Sequence, residues 1–442
     1  MRLLRDIASP LDGLLGNQKV PSGTPVRWMQ YVITEPVEEG LLLYNILTRA
    51  VALLTSEEAA QAPDGVPELV EKWFAVPMDH DDFRLAREVR AVAKMLQDPV
   101  KAITTYTILT TTDCNARCFY CYEKGRSRIP MSRETARKVA EYIIRKSSGE
   151  PVKLRWFGGE PLYNKPVITQ ICNLLREAGV EFRSSMVSNG LLFDDTVVAE
   201  AGSLWNLKKV QITLDGTEKV YNRVKAFVDA EGSPYRRVLD NIARLLDAGI
   251  KVTVRLNIDL HNAEDLFFLM DELGDRFPGR KNLRVYSRPL FQNIDPGSAV
   301  SHTEEQRRAI HEARMRLDRR IHELGFQKEG ALGKSVKVIH CMADNDASVT
   351  ILPDGHLGKC EHYTDRDWFG HIGREEKDDA VLAAFKACHE DLPECAECPV
   401  YPDCIRLRKC EEAAHCYPEE REERLAAIHR CLLAFYEKEV GR

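Results

Sequence analysis

The chain has 442 residues, is 44% hydrophobic and carries a formal net charge of −6; the length allows two or three domains with real cores, and the charge excludes electrostatic attraction to nucleic acid or an anionic membrane as an organising theme. No run of about eighteen apolar residues occurs, and Met1-Arg2-Leu3-Leu4-Arg5-Asp6 lacks the apolar centre of a secretory signal, so no membrane partner is expected and the expected location is cytoplasmic. Thirteen cysteines in a reducing compartment exclude a disulfide framework and point to metal.

Residues 1–100 contain none of the clustered cysteines and read as a unit of their own. Short strands are expected over 27–33 and 40–45, a capped helix start at Thr55-Ser56-Glu57-Glu58, and further helix over 69–74. This outline resembles the peptide-recognition element of ribosomal-peptide maturases, a small winged-helix module. The resemblance implies a precursor peptide bound by its leader, added as a strand at a sheet edge. A packing extension without binding duty is the other reading.

Over 103–290 strands and helices alternate, with strands expected at 104–111, 152–157, 181–187, 209–214, 252–258 and 283–287 and helices such as 131–146 and 235–248. The fold class is therefore α/β, a partial (β/α)6 barrel, whose chemistry collects where loops converge at the carboxyl ends of the strands. The first strand runs into Cys114-Asn115-Ala116-Arg117-Cys118-Phe119-Tyr120-Cys121. Three thiolates at this spacing can hold three irons of a [4Fe–4S] cubane and leave the fourth open; a structural zinc site also takes clustered thiolates. The second strand runs into Gly158-Gly159-Glu160-Pro161. Paired glycines let backbone approach a ligand, and a carboxylate there can accept from an ammonium.

These two motifs, about one βα unit apart, resemble those of radical SAM enzymes. The resemblance implies that Cys114, Cys118 and Cys121 ligate the cluster with Tyr120 as the aromatic of the motif, that S-adenosylmethionine chelates the open iron, and that Gly158, Gly159, Glu160 and Pro161 clamp its amino group. It also implies that Ser188 and Asn189, after the third strand, hold the ribose or carboxylate of S-adenosylmethionine, and that Arg255 and Asn257, ending the fifth, line the same pocket. Guanidinium, amide and hydroxyl groups are suitable partners for those functions, although Asn, Asp and Gly are also what ordinary turns select. Asp215, in Leu214-Asp215-Gly216-Thr217 after the fourth strand, is the candidate catalytic residue.

Residues 291–335 read as a helical bridge, with Ile310, Leu317, Ile321 and Leu324 on one face of a charged helix over 303–324. In 336–442 the pattern Cys341, Gly355, Cys360, then Cys395-x-x-Cys398 and Cys404 resembles the SPASM extension with two auxiliary [4Fe–4S] clusters. By that resemblance Cys395, Cys398, Cys404 and Cys416 complete one cluster, and Cys341, Cys360 and Cys410 supply three ligands to the other. The chain departs from the family pattern at Arg408, where a cysteine is usual, and Cys410 is the nearest thiol. Cys172 and Cys388 fit amphipathic helices as small hydrophobes, and Cys431 on the last helix is open between core and spare ligand.

The resemblance, from about residue 103 to 420, implies a radical SAM/SPASM peptide maturase of the thioether-forming type, supplied with electrons by a flavodoxin or ferredoxin. It further implies that an enzyme truncated of residues 1–100 still cleaves S-adenosylmethionine without making product. Formylglycine formation of the sulfatase-maturase kind, another peptide radical modification, and a zinc-stabilised peptide-binding protein without catalysis are the alternatives.

Overall fold

The computed structural model describes residues 1–8, 11–21, 23–97, 99–228, 231–290, 302–328, 330–389, 392–410 and 416–440. The alternation of the sequence becomes six parallel strands: β1 (Thr105–Leu109), β2 (Val152–Phe157), β3 (Phe182–Ser188), β4 (Leu207–Leu214), β5 (Lys251–Ile258) and β6 (Leu283–Pro289). They lie side by side in chain order. In β2, Val152, Leu154 and Trp156 are buried while Lys153 is exposed, the period-two pattern of a strand with one covered face. Helices α1 (Arg133–Ser147), α2 (Lys165–Glu177), α3 (Asp195–Ser203), α4 (Glu218–Lys225), α5 (Pro234–Asp247) and α6 (Ala263–Arg276) follow or separate these strands. In α1, Ser132 caps the first turn, and Ala136, Val139, Ala140 and Ile143 fall on one buried face, as helical periodicity requires.

The charged helix expected over 303–324 is α7 (Glu304–Glu323), started by a capping box between Thr303 and Gln306. Its buried Ile310, Leu317 and Ile321 belong to the core of the parallel sheet, so it serves as the outer helix after β6. Residues 291–301 of the expected bridge lie outside the described residues.

The cysteine-rich segment does not stand apart from the barrel. Its strand β7 (Ser348–Ile351) pairs parallel to β1, Ser348 opposite Thr105 and Ile351 opposite Ile108. Antiparallel β8 (His356–Gly358) and β9 (Gly370–His371) extend the sheet further. The chain continues through helix α8 (Asp379–Lys386) and ends on helix α9 (Pro418–Glu439). Among the described residues no helix is long and apolar enough to cross a membrane.

The first hundred residues build a four-stranded antiparallel sheet in the order Arg2–Arg5, Val51–Leu54, Gly40–Asn45, Val32–Val37. The strand expected over 27–33 is broken in two: Val26–Trp28 pairs with Ala75–Pro77, and Val32–Val37 with Gly40–Asn45. The break has a cause in the buried Asp82 carboxylate, which takes the Gln30 amide at 2.7 Å and the Arg27 guanidinium at 2.9 Å. The helix expected over 69–74 is shorter, Pro67–Glu71, because Trp73 turns to φ 62° and leads into the strand Ala75–Pro77. Nor is this segment an independent unit. Its apolar core contains Cys395, Cys398, Val400 and Tyr401 from the cysteine-rich segment and Leu432 and Tyr436 from α9.

Candidate active site

The three-cysteine loop leaves β1 at Thr110 and returns at Met131, closed at its neck by Met131 N–H to Thr110 O (2.9 Å) and Thr112 N–H to Ile129 O (3.0 Å). The Gly158-Gly159 turn after β2 lies against it. Gly159 N–H donates to Thr111 O at 3.0 Å and Glu160 N–H to Asp113 O at 2.9 Å. A Cβ on Gly158, whose φ is +124°, would meet Thr111 O at 2.1 Å, and one on Gly159 would meet Asp113 O at 2.3 Å. The glycines therefore admit the backbone of the cysteine loop, where the sequence suggested that they admit a ligand.

Glu160 departs from its expected part in the same way. Its carboxylate is fully buried and accepts from Ser188 Oγ at 2.9 and 3.0 Å, from Asn189 N–H at 2.8 Å and from Leu162 N–H at 3.2 Å. Burial pushes the carboxyl up to about 7, against those hydrogen bonds, which favour the charged form. These bonds tie the end of β2 to the end of β3. Asn189 carries the tie onward, its amide donating to Asn115 Oδ1 at 2.6 Å and lying 3.8 Å from Cys114 Sγ. Ser188 and Asn189 thus brace the cysteine loop, and Pro161 opens the short 3-10 turn Pro161–Asn164 behind it.

The opposite side of the loop rests on a group that the sequence concealed. Lys225, the last residue of α4, is 4% exposed; its ammonium lies 3.0 Å from Asp215 Oδ2 and donates to Tyr120 Oη at 3.1 Å. Tyr120 O–H in turn donates to Asp215 at 2.9 Å, and Asn257 Nδ2 adds a donor at 3.2 Å. Arg255 Nε donates to Asn257 Oδ1 at 2.8 Å, which brings the expected pair from β5 into the same network. Asn262, also unsuspected, donates to the carbonyls of Asp215 and Asn257 at 2.9 and 2.8 Å. The main chain joins in: Arg117 N–H reaches Lys225 O and Val228 N–H reaches Asn115 O, both at 2.8 Å. Burial works against the Lys225 ammonium, but Asp215, Tyr120 and Cys118 outweigh it and hold its pKa well above the ordinary value. Asp215, 1% exposed, spends its oxygens on the chain's own donors. A lysine closing a short charged helix resembles any solvated lysine in sequence, so only its spacing of ten residues after Asp215 could have drawn notice.

Lys225→Met is expected to leave the Asp215 carboxylate buried without its cation and to lower stability by about 3–5 kcal/mol. A urea unfolding midpoint unchanged from the parent would overturn that reading.

The thiols gather as the spacing suggested. Cys114, Cys118 and Cys121 lie near enough to influence one another; burial raises all three, to about 12 at Cys114 and about 11 at Cys121. Thiols of this kind lose their protons to a bound metal, which supplies the compensating charge, so the donor set fits an iron–sulfur cluster. Cys341, Cys360 and Cys410 form a second neighbourhood, and Cys395, Cys398, Cys404 and Cys416 a third. Among the described residues no three His, Cys, Asp or Glu side chains converge as ligands of a single metal ion would; a cubane binds each thiolate on its own iron. Cys172 is fully buried in α2. Cys388 is not helical; it pairs with Leu407 as an isolated bridge beyond α8 and packs on the same small apolar cluster as Cys360 and Cys410. Cys431 is half-buried and packs against the core of the N-terminal sheet, its Sγ 3.2 Å from where a Cβ on Gly330 would stand.

Residues 108–271 match the radical SAM superfamily. In sequence, the chain is similar to a probable GTP 3′,8-cyclase of Methanocaldococcus jannaschii, 26% identical over 209 residues that make up 44% of this chain and 65% of that protein; it spans just under two thirds of that relative's length. In structure, it is similar to anSMEcpe with bound AdoMet (TM-score 0.55, 14% identity, 76% of this chain and 98% of that one). It is also similar to Streptococcus suis SuiB bound to precursor peptide SuiA (TM-score 0.52, 11% identity, 86% and 95%). At these identities the likeness to the two solved structures is one of fold.

Proposed function

We propose, from the premise that residues 108–271 form a radical SAM domain, that this protein is a cytoplasmic peptide maturase. Its substrate would be a ribosomally made precursor bound through its leader, and its product an intramolecular crosslink, a Cys thioether. Bound at Cys114, Cys118 and Cys121, a [4Fe–4S] cluster with S-adenosylmethionine would supply the 5′-deoxyadenosyl radical that abstracts hydrogen from the peptide, with electrons from a flavodoxin or ferredoxin. The chain's own residues hold and exclude. Gly158, Gly159 and Glu160 set the cysteine loop against the strand ends, Ser188 and Asn189 brace that loop, and Arg255 and Asn257 join the Asp215 network. Asp215 acts through Tyr120 and Lys225 as a positioning group.

The observation that carries this reading is the contact between the cysteine loop and the first auxiliary segment. Tyr122 packs its ring on His362, centroids 4.6 Å apart, and Arg126 donates to His362 O at 3.1 Å. An auxiliary cluster on Cys341, Cys360 and Cys410 would thus sit beside the radical site, where crosslinking must dispose of an electron. Cys395, Cys398, Cys404 and Cys416 would hold a second cluster. The fold likeness to SuiB, which runs over 86% of the chain, supports a peptide as the substrate. The edge strands Arg2–Arg5 and Val32–Val37 are the places where a leader could add.

The sequence likeness to GTP 3′,8-cyclases favours a second reading, a nucleotide substrate, and one experiment separates the two. Anaerobically reconstituted enzyme, S-adenosylmethionine and reductant are incubated with a Cys-containing precursor peptide encoded beside the gene, with its Cys-to-Ser form, or with GTP. The expected product is the Cys peptide lighter by two hydrogens. Three thiols leave one iron of a cubane without a cysteine at the Cys341, Cys360 and Cys410 site, so a Cys peptide that ligates there, and not its Ser form, is also expected to perturb the auxiliary electron paramagnetic resonance signal. Consumption of GTP with both peptides untouched overturns the maturase reading.

A further inference from the structure

The loop carrying Cys395, Cys398 and Cys404 is held from outside its own segment. Arg49 sits in the turn between strands Gly40–Asn45 and Val51–Leu54, in left-handed backbone at φ 70°, with its side chain 1% exposed. Its guanidinium reaches Asp403, in the turn between Cys398 and Cys404, with Nη1 donating to Oδ2 at 3.0 Å and Nη2 to Oδ1. The same Nη1 lies 3.1 Å from Tyr44 Oη, and a Cβ on Gly333 would come within 3.0 Å of it. A planar fork gripped in this way fixes both the distance and the orientation of the carboxylate it holds. Gln30, also from the N-terminal segment, donates its amide to Ala396 O at 2.8 Å, inside the Cys395–Cys398 turn. Phe83 packs edge-on to Tyr401 with centroids 4.7 Å apart. Cys395 and Cys398 are each 8% exposed and belong to the N-terminal core.

We propose that Arg49 is a positioning residue of the metal site formed by Cys395, Cys398, Cys404 and Cys416, so that the N-terminal sheet is one wall of that site. This rests on the reading that those thiols hold an iron–sulfur cluster. The partners that orient a metal's ligands commonly govern affinity on the order of 10–100-fold when removed. Arg49 holds the carboxylate of Asp403, and Gln30 holds the backbone carbonyl of Ala396, one at each turn of the ligand loop. Their removal is expected to loosen that one site.

The test compares full-length, anaerobically reconstituted Arg49→Met, Arg49→Lys and Gln30→Ala with the parent, following iron release to a chelator. In Arg49→Met about a third of the cluster iron, one cubane of three, is expected to leave in a phase at least about tenfold faster. Arg49→Lys keeps the charge but not the fork, and should release at an intermediate rate. Gln30→Ala alters a half-exposed side chain and should fold in any event, so it carries the test if Arg49→Met does not fold. Release from Gln30→Ala and from any folded Arg49→Met at the parent rate overturns the proposal. If the parent holds zinc at these thiols, the cluster reading fails separately, and the Arg49 assignment stands or falls on zinc release measured in the same way.

Discussion

Replacing Cys114, Cys118 and Cys121 together by Ala is expected to abolish 5′-deoxyadenosine formation while iron and sulfide remain at the cysteine-rich segment. The three thiols are brought together by one loop, whose neck, glycine floor and Tyr120 anchor involve neither of the other two thiol neighbourhoods. Removing the ligands removes the cluster whose open iron would hold S-adenosylmethionine, so the loss should be complete. The substituted side chains are partly exposed in the parent, which keeps the cost to folding small. Iron analysis and product chromatography on the same preparation decide the matter. A triple variant that still makes 5′-deoxyadenosine under reducing conditions would show that the catalytic cluster lies elsewhere.

Deleting residues 1–97 is expected to yield protein that aggregates or loses part of its iron. This differs from the truncated but cofactor-competent enzyme that the sequence suggested. Leu432 is fully buried, and Val400, Tyr401 and Tyr436 are 2–6% exposed, all within the core of the N-terminal sheet. Uncovering a large apolar side chain costs about 1.5–3 kcal/mol, so baring these four together costs on the order of 10 kcal/mol, comparable with the whole stability of a typical domain. The deletion also takes Arg49 away from Asp403 and Gln30 from the Cys395–Cys398 turn. Size-exclusion chromatography with iron and sulfide counts would measure the outcome. A monodisperse truncated protein with its full iron complement would show that the N-terminal sheet is dispensable for folding. Leader binding is therefore better probed by substitutions along Arg2–Arg5 and Val32–Val37 than by deletion.

The cysteine loop was legible because ligand chemistry fixes both residue type and spacing in a contiguous stretch. The six strands were found within a few residues of their ends, because covered strands repeat every second residue, as Val152, Leu154 and Trp156 do. Gly158, Gly159 and Glu160, expected from the motif to serve a ligand, are seen to contact the cysteine loop and the end of β3. A motif tells that backbone and carboxylate are needed there, and not which group fills the space.

The sequence by itself determined the α/β class and the three-thiol loop, because period, turn chemistry and ligand spacing are local properties; the grouping of the later cysteines came only from a family resemblance. Only the tertiary structure decided that Lys225 is buried against Asp215 and Tyr120. It likewise decided that Cys431 packs against the core of the N-terminal sheet, that β7 extends the barrel sheet beside β1, and that Arg49 reaches across to Asp403. The physical reason is the same in each case. Such pairings join residues from ten to several hundred positions apart, and their energies depend on burial and on the partner's orientation, neither of which is written in the residues on either side of the contact.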